Sequence, residues 1–125
     1  MRGHVKPEAY LQSNVLKLCV SRRLLAYHTH DSRRSQPGFP DLVIVGPGGV
    51  LFVELKSEVG RLSPEQKKWQ EGLEAAPGVR WLLWRPADLH SGRIDEELRK
   101  LARPPRAKTV TCPTCETTIK LLEAA

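Results

Sequence analysis

No stretch of this chain approaches the roughly 20 consecutive apolar residues that cross a bilayer, and its first residues lack the apolar core of a secretory signal. Neither a membrane span nor export is expected, and a cytoplasmic location is. Cysteine is scarce as well: three residues make no disulfide framework, which agrees with a reducing compartment. At 125 residues the chain can bury one real core but is too short for two ordinary domains. Acidic residues are in deficit, 14 against 20 Lys and Arg, for a net charge of +6. That balance favours an anionic partner, although charge alone does not separate nucleic acid from a membrane surface.

What is present is unevenly placed. Before residue 37, Arg2, Lys6, Lys17, Arg22, Arg23, Arg33 and Arg34 face only Glu8 and Asp31. This stretch reads either as a phosphate-contacting surface or as a solvated basic face. Pro7 opens a helix running to about Cys19 or Val20, with Leu11, Val15, Leu18 and Cys19 at helical spacing. Leu24 to Thr29 reads as a first strand, followed by a polar loop from His30 to Pro37. His28, His30 and Asp31 match no familiar metal spacing, so they are not assigned as ligands.

Two runs rich in β-branched and aromatic residues follow, Asp41 to Val45 and Val50 to Leu55, joined by Gly46-Pro47-Gly48-Gly49. The Gly/Pro cluster signals a hairpin. If Val45 faces Val50, counting outward sets Leu42 against Val53 and Asp41 against Glu54, whose Cβ atoms would then be about 4.5–5.5 Å apart. Lys56, two residues beyond Glu54, projects from the same face. The apolar flanks suggest strands buried on both faces, where two adjacent carboxylates need a cationic complement. Lys56 supplies part of one; a hard divalent ion such as Mg2+, held by oxygen ligands, would supply the rest. A buried Asp-Glu-Lys network without catalysis is the alternative.

Downstream, Ser63-Pro64-Glu65-Gln66 is a helix start with Ser at the N-cap, Pro at N1 and Gln in capping-box position. Lys67 and Lys68 follow and put positive charge near the same edge, beside a helix N-terminus that favours phosphate. This helix ends near Ala76-Pro77-Gly78, Val79 to Trp84 forms the next strand, and a last helix runs near Ile94 to Leu101. Trp69, Trp81 and Trp84 are expected in packing rather than base stacking. Arg103-Pro104-Pro105 ends the domain, giving a partition into residues 1–105 and a tail, residues 106–125. In the tail Cys112 and Cys115 provide two of the four ligands of a structural zinc, with no second pair in the chain. A flexible tail with reduced thiols is the default expectation, and zinc shared between subunits or completed by His90 the alternative.

The Gly38-Phe39-Pro40-Asp41-Leu42 run, Glu54-Leu55-Lys56 thirteen residues after the Asp, and Gly60-Arg61-Leu62-Ser63-Pro64-Glu65-Gln66 together resemble the PD-(D/E)xK nuclease superfamily. Within it the similarity is greatest to the VRR-NUC family, the virus-type replication-repair nucleases. It spans about Lys6 to Arg85 in motif order and is far more specific than Glu-x-Lys alone.

The resemblance implies an α/β fold with a restriction-endonuclease-like core, in αβββαβ order, whose mixed sheet is flanked by helices. It implies metal-dependent hydrolysis of DNA, with Asp41, Glu54 and the Leu55 carbonyl holding Mg2+ or Mn2+ and Lys56 acting on the attacking water or the transition state. An acidic residue of the first helix faces the metal in such nucleases, which makes Glu8 a candidate third acid; a first-turn Glu that complements the helix dipole is the other reading. Gln66, early in its helix, would lie beside the active centre and hold a phosphate or the water, or else only cap the helix. By the same resemblance cleavage leaves a 5′-phosphate and a 3′-hydroxyl, similar stand-alone members cut branched DNA such as four-way junctions, and symmetric cutting calls for a homodimer. The setting implied is a bacterial or phage-infected cell. A non-catalytic DNA-binding module and a sequence-specific restriction-type enzyme are the rival expectations.

Overall fold

The computed structural model describes residues 7–29, 36–105, 107–111 and 118–122. Helix α1 (Pro7–Ser21) leads into β1 (Leu25–His28), β2 (Leu42–Gly46) and β3 (Gly49–Leu55); α2 (Pro64–Ala75), β4 (Val79–Trp84), α3 (Pro86–His90) and α4 (Arg93–Leu101) complete the main unit. The sheet order is β1-β2-β3-β4, antiparallel except that β3 and β4 run parallel, with α2 as their crossover. This is the expected mixed-sheet α/β architecture. Among the described residues no helix is long and apolar enough to cross a membrane.

The core lies on one face of the sheet. Leu42 and Ile44 of β2, Leu51, Val53 and Leu55 of β3 and Trp84 of β4 cluster with Leu11, Val15 and Cys19 of α1 and Ile94, Leu98 and Leu101 of α4. Alternate strand residues share a face, so the two helices cover that side over β2, β3 and β4, while Ala26 of β1 on the same face stays exposed. The other side is covered only in part, contrary to the expectation of strands buried on both faces. Val45 of β2 stays 40% exposed because α2 packs over the β3–β4 half and leaves the β1–β2 half open.

The hairpin register is as counted, from Val45 against Val50 to Leu42 against Val53. Its loop is tighter than expected: Gly46 and Gly49 pair with each other, so only Pro47 and Gly48 turn the chain. Those glycines also dock the hairpin onto α4. The Gly48 N–H donates to the Leu101 carbonyl at 2.8 Å, and a Cβ on Gly46 would stand 2.7 Å from the same oxygen. An orphan carbonyl at the helix end is thereby satisfied.

The polar loop returns to the sheet through a second close approach. Gly38 has φ +84°, and a Cβ there would lie 2.4 Å from the Glu65 carbonyl carbon and oxygen. Phe39 packs edge-on between Phe52 and Trp69, at centroid distances of 6.2 and 5.1 Å, while the Trp69 indole donates to the Pro37 carbonyl. We expect Gly38→Ala to cost about 3 kcal/mol or more, since the left-handed conformation and a backbone clash act together. The urea midpoint measures this, and a midpoint within error of wild type would refute the packing argument.

Three further elements, a short helix and two strands, were not anticipated. The five residues of α3 follow β4 at once, started by Pro86 and by the Asp88 carboxylate accepting the Arg85 N–H at 2.8 Å. In the expected flexible tail, β5 (Ala107–Thr111) and β6 (Thr118–Leu122) pair as a separate antiparallel hairpin. Their sequences, rich in Thr, Val and Ile, carry β propensity. Cys112 and Cys115 lie outside the described residues.

Candidate active site

Beyond Leu42 against Val53, the next register position sets Asp41 against Glu54, and the two carboxyl groups share a hydrogen bond. Asp41 precedes β2 by one residue, and its side chain replaces a rung of the ladder. The Lys56 N–H points toward β4 and bonds the Trp84 carbonyl at 3.0 Å, so the preceding N–H, of Leu55, points toward β2. There the Asp41 Oδ2 accepts it at 2.8 Å. Its own carbonyl accepts from the Thr29 N–H, so the main chain is tied to the segment after β1 while the carboxylate is tied to β3.

Glu54 is the one buried charged residue among those described, at 3% exposure. Burial pushes its carboxyl up to about 9, helped by the Asp41 charge and the bond to it; Lys56 opposes the shift and Glu8 adds the last, smallest contribution. Below that value Glu54 keeps its proton beside Asp41. Lys56, half-buried two residues along the strand, is close enough to act on it by charge.

Gln66 resolves the choice between capping and site contact by doing both in one rotamer. Its Oε1 accepts the Ser63 N–H at 2.8 Å and its own N–H donates to Ser63 Oγ at 3.1 Å, closing the capping box. The amide nitrogen remains, and it donates to Glu54 Oε1 at 2.8 Å. The cap and a contact to the site carboxyl coexist because the two ends of the amide point to different partners. The contact made here is to the carboxyl.

Glu8 is exposed in the first turn of α1, where its charge reaches Glu54. Of the basic residues expected to meet phosphate, Arg23, Lys67 and Lys68 are exposed. Arg22 is engaged elsewhere: its guanidinium forks onto Asp95 of α4 through three bonds of 2.9 to 3.0 Å, bracing the end of α1 against the first turn of α4. A partly buried, bidentate partner outcompetes a solvent-side role. Arg33 and Arg34, like His30 and Asp31, lie outside the described residues. Trp84 is fully buried and Trp69 and Trp81 partly so, in line with packing.

Arg85, which carried no role in the sequence reading, donates through Nη1 to the carbonyls of Ser57 and Gly60, just beyond Lys56. Only its place next to the β4 terminus, across from the β3 terminus, could have singled it out.

The donor set suits a hard cation. Once Leu55 N–H and the Gln66 amide are served, each carboxyl keeps a second oxygen, and the Leu55 carbonyl is adjacent. Among the described residues no group of three or more His, Cys, Asp or Glu side chains gathers. An ion here would be held by two carboxylates, a carbonyl and water, the pattern favoured by Mg2+.

The family model described as the VRR-NUC domain matches residues 5–81. No curated protein matches in sequence. Two solved structures are similar: one described as a VRR_NUC domain, 21% identical with a TM-score of 0.58, covers 76% of this chain and 97% of its own. The other, a VRR_NUC domain protein, is 21% identical with a TM-score of 0.55 over 82% of this chain and 93% of its own.

Proposed function

Because this chain belongs to the VRR-NUC domain family, a family of nuclease type, we propose that it is a metal-dependent endonuclease that hydrolyses phosphodiester bonds in branched DNA. The observation that carries the reading is the buried Glu54 carboxyl set against the half-buried Asp41, with Lys56 beside them just past β3. So costly an arrangement is a poor stabilising device and a good ligand set.

Asp41, Glu54 and the Leu55 carbonyl would hold Mg2+ or Mn2+, which when bound polarises a phosphoryl oxygen and acidifies a water. Gln66 would orient Glu54 through its amide N–H to Oε1. Lys56 would act on the attacking water or donate to a non-bridging phosphate oxygen, where negative charge accumulates during attack. Glu8 would bear on the ion through water from the rim of the site. Arg23, Lys67 and Lys68, with Arg33 and Arg34, would neutralise backbone phosphates without reading sequence.

A homodimer suits paired cuts on a branched substrate. An open apolar strip supports it: Leu25 (75% exposed) lies directly across from Val45, and Tyr27 (61% exposed) continues the same face. Such a strip is a self-association surface of the isologous kind. The setting implied is the cytoplasm.

End-labelled four-way junctions, flaps and linear duplexes of varied sequence, incubated with Mg2+, Mn2+ or EDTA, test the proposal. We expect metal-dependent cutting that ranks the junction first. Dependence on one short sequence would favour a restriction-type enzyme, and binding without cutting in either metal would leave a DNA-binding module.

A further inference from the structure

Lys56 is the first residue past β3, and from Ser57 to Leu62 the chain forms no regular element. A lysine on an irregular segment would spread over many rotamers, yet the reaction proposed above needs its ammonium at one place. From the contacts around this segment we infer that Arg85 is a positioning residue of the site, acting on Lys56 through the 57–60 turn. This rests on the nuclease reading.

Leu55 pairs with Trp84, so the residues that follow, Lys56 and Arg85, leave the parallel ladder side by side. The half-buried Arg85 guanidinium bridges the carbonyls of Ser57 and, at 2.8 Å, Gly60. The turn closes on itself as the Gly60 N–H donates to Ser57 Oγ at 3.0 Å. A second strap comes from Glu58, whose Oε1 accepts the Ala87 N–H at 2.6 Å in the first turn of α3. So fixed, Gly60 lies against the lysine stem: a Cβ built there would meet Lys56 Cδ at 3.3 Å. The turn is a wall for the Lys56 side chain, and Arg85 holds the wall up. Both bonds leave one nitrogen, Nη1, at the tip of a rigid planar group, a reach that the shorter, flexible lysine side chain does not match.

Arg85→Lys and Arg85→Met test this against wild type, by single-turnover cleavage of a four-way junction at saturating protein, junction affinity in EDTA, and amide hydrogen exchange. The expected result is a loss in cleavage rate of roughly 10- to 100-fold, the scale of a misplaced catalytic group. Junction affinity should stay within about twofold, because neither partner of Arg85 is a DNA contact in the proposed site. Exchange should accelerate at residues 57–61 while β2 and β3 keep their protection. Cleavage at the wild-type rate in Arg85→Lys would overturn the inference even if exchange accelerates, as would equal loss of protection across the sheet. If the wild type itself cuts nothing in either metal, the nuclease reading falls first and this role falls with it.

Discussion

The Asp41→Ala protein should bind four-way-junction DNA nearly as tightly as wild type and cut it roughly 10²- to 10³-fold more slowly in Mg2+ or Mn2+, the scale of losing a transition-state charge stabiliser. Two roles end together in that variant. The carboxylate is a proposed metal ligand, and its Oδ2 also receives the Leu55 N–H at 2.8 Å, which fixes the neighbouring carbonyl. Asp41→Asn separates them. Its amide oxygen can still accept the Leu55 N–H, so the sheet terminus should persist while the charge is gone. Cleavage should fail in both variants, and amide protection at Leu55 should fail only in Asp41→Ala. Cleavage retained in Asp41→Asn would remove this carboxylate from the chemistry and end the present assignment.

A gain in stability that accompanies loss of activity is expected of Glu54→Gln. The folded protein raises the Glu54 carboxyl from about 4.5 to about 9, chiefly by burial and then by Asp41. Between those values the unfolded chain has released a proton that the folded chain retains. Metal-free stability therefore falls as pH rises through this window and is intact only below it. Glutamine has no proton to lose and can still accept from Gln66. At about 1.4 kcal/mol for each pH unit above the unfolded value, removing the carboxyl should stabilise the metal-free protein by about 3 kcal/mol near pH 7 and by less than about 1 kcal/mol near pH 5. Metal works in the opposite sense, since an ion must displace the Glu54 proton: Mg2+-induced stabilisation of wild type should grow from pH 6 to pH 9 and vanish in Glu54→Gln. Thermal unfolding across that range, with and without Mg2+, reads both effects. A metal-free variant no more stable than wild type at pH 7 would show that Glu54 is not a strained acid.

The two predictions rest on residues that were legible at different depths. Asp41, Glu54 and Lys56 could be placed on one face by counting outward from a Gly/Pro turn, because period-two alternation and hairpin pairing are local rules. The turn is two residues shorter than the cluster suggested, yet pairing Gly46 with Gly49 leaves the parity unchanged. Glu8 and Gln66 were visible as helix-start residues, and for Gln66 the cap was correct as far as it went.

What could not be read lies where partners are distant in sequence. Arg22 looked like any exposed cation until the fold put Asp95 opposite it, 73 residues later. Arg85 reaches back 25 and 28 residues to two backbone carbonyls, which leave no trace in side-chain pattern. The need for glycine at Gly38 arises from the arrival of the α2 N-terminus, not from its own loop alone.

By itself, then, the sequence determined the types of the elements from α1 to β4 and of α4, the hairpin register, the acid–acid–lysine order and the basic balance, because each depends on neighbours within one strand, turn or helix. Only the tertiary structure decided that the Gln66 amide serves both Ser63 and Glu54, that Arg22 is paired with Asp95, and that, among the described residues, half of one sheet face stays open. Those properties are set by desolvation and by hydrogen bonds between segments, and both exist only once the chain has closed on itself.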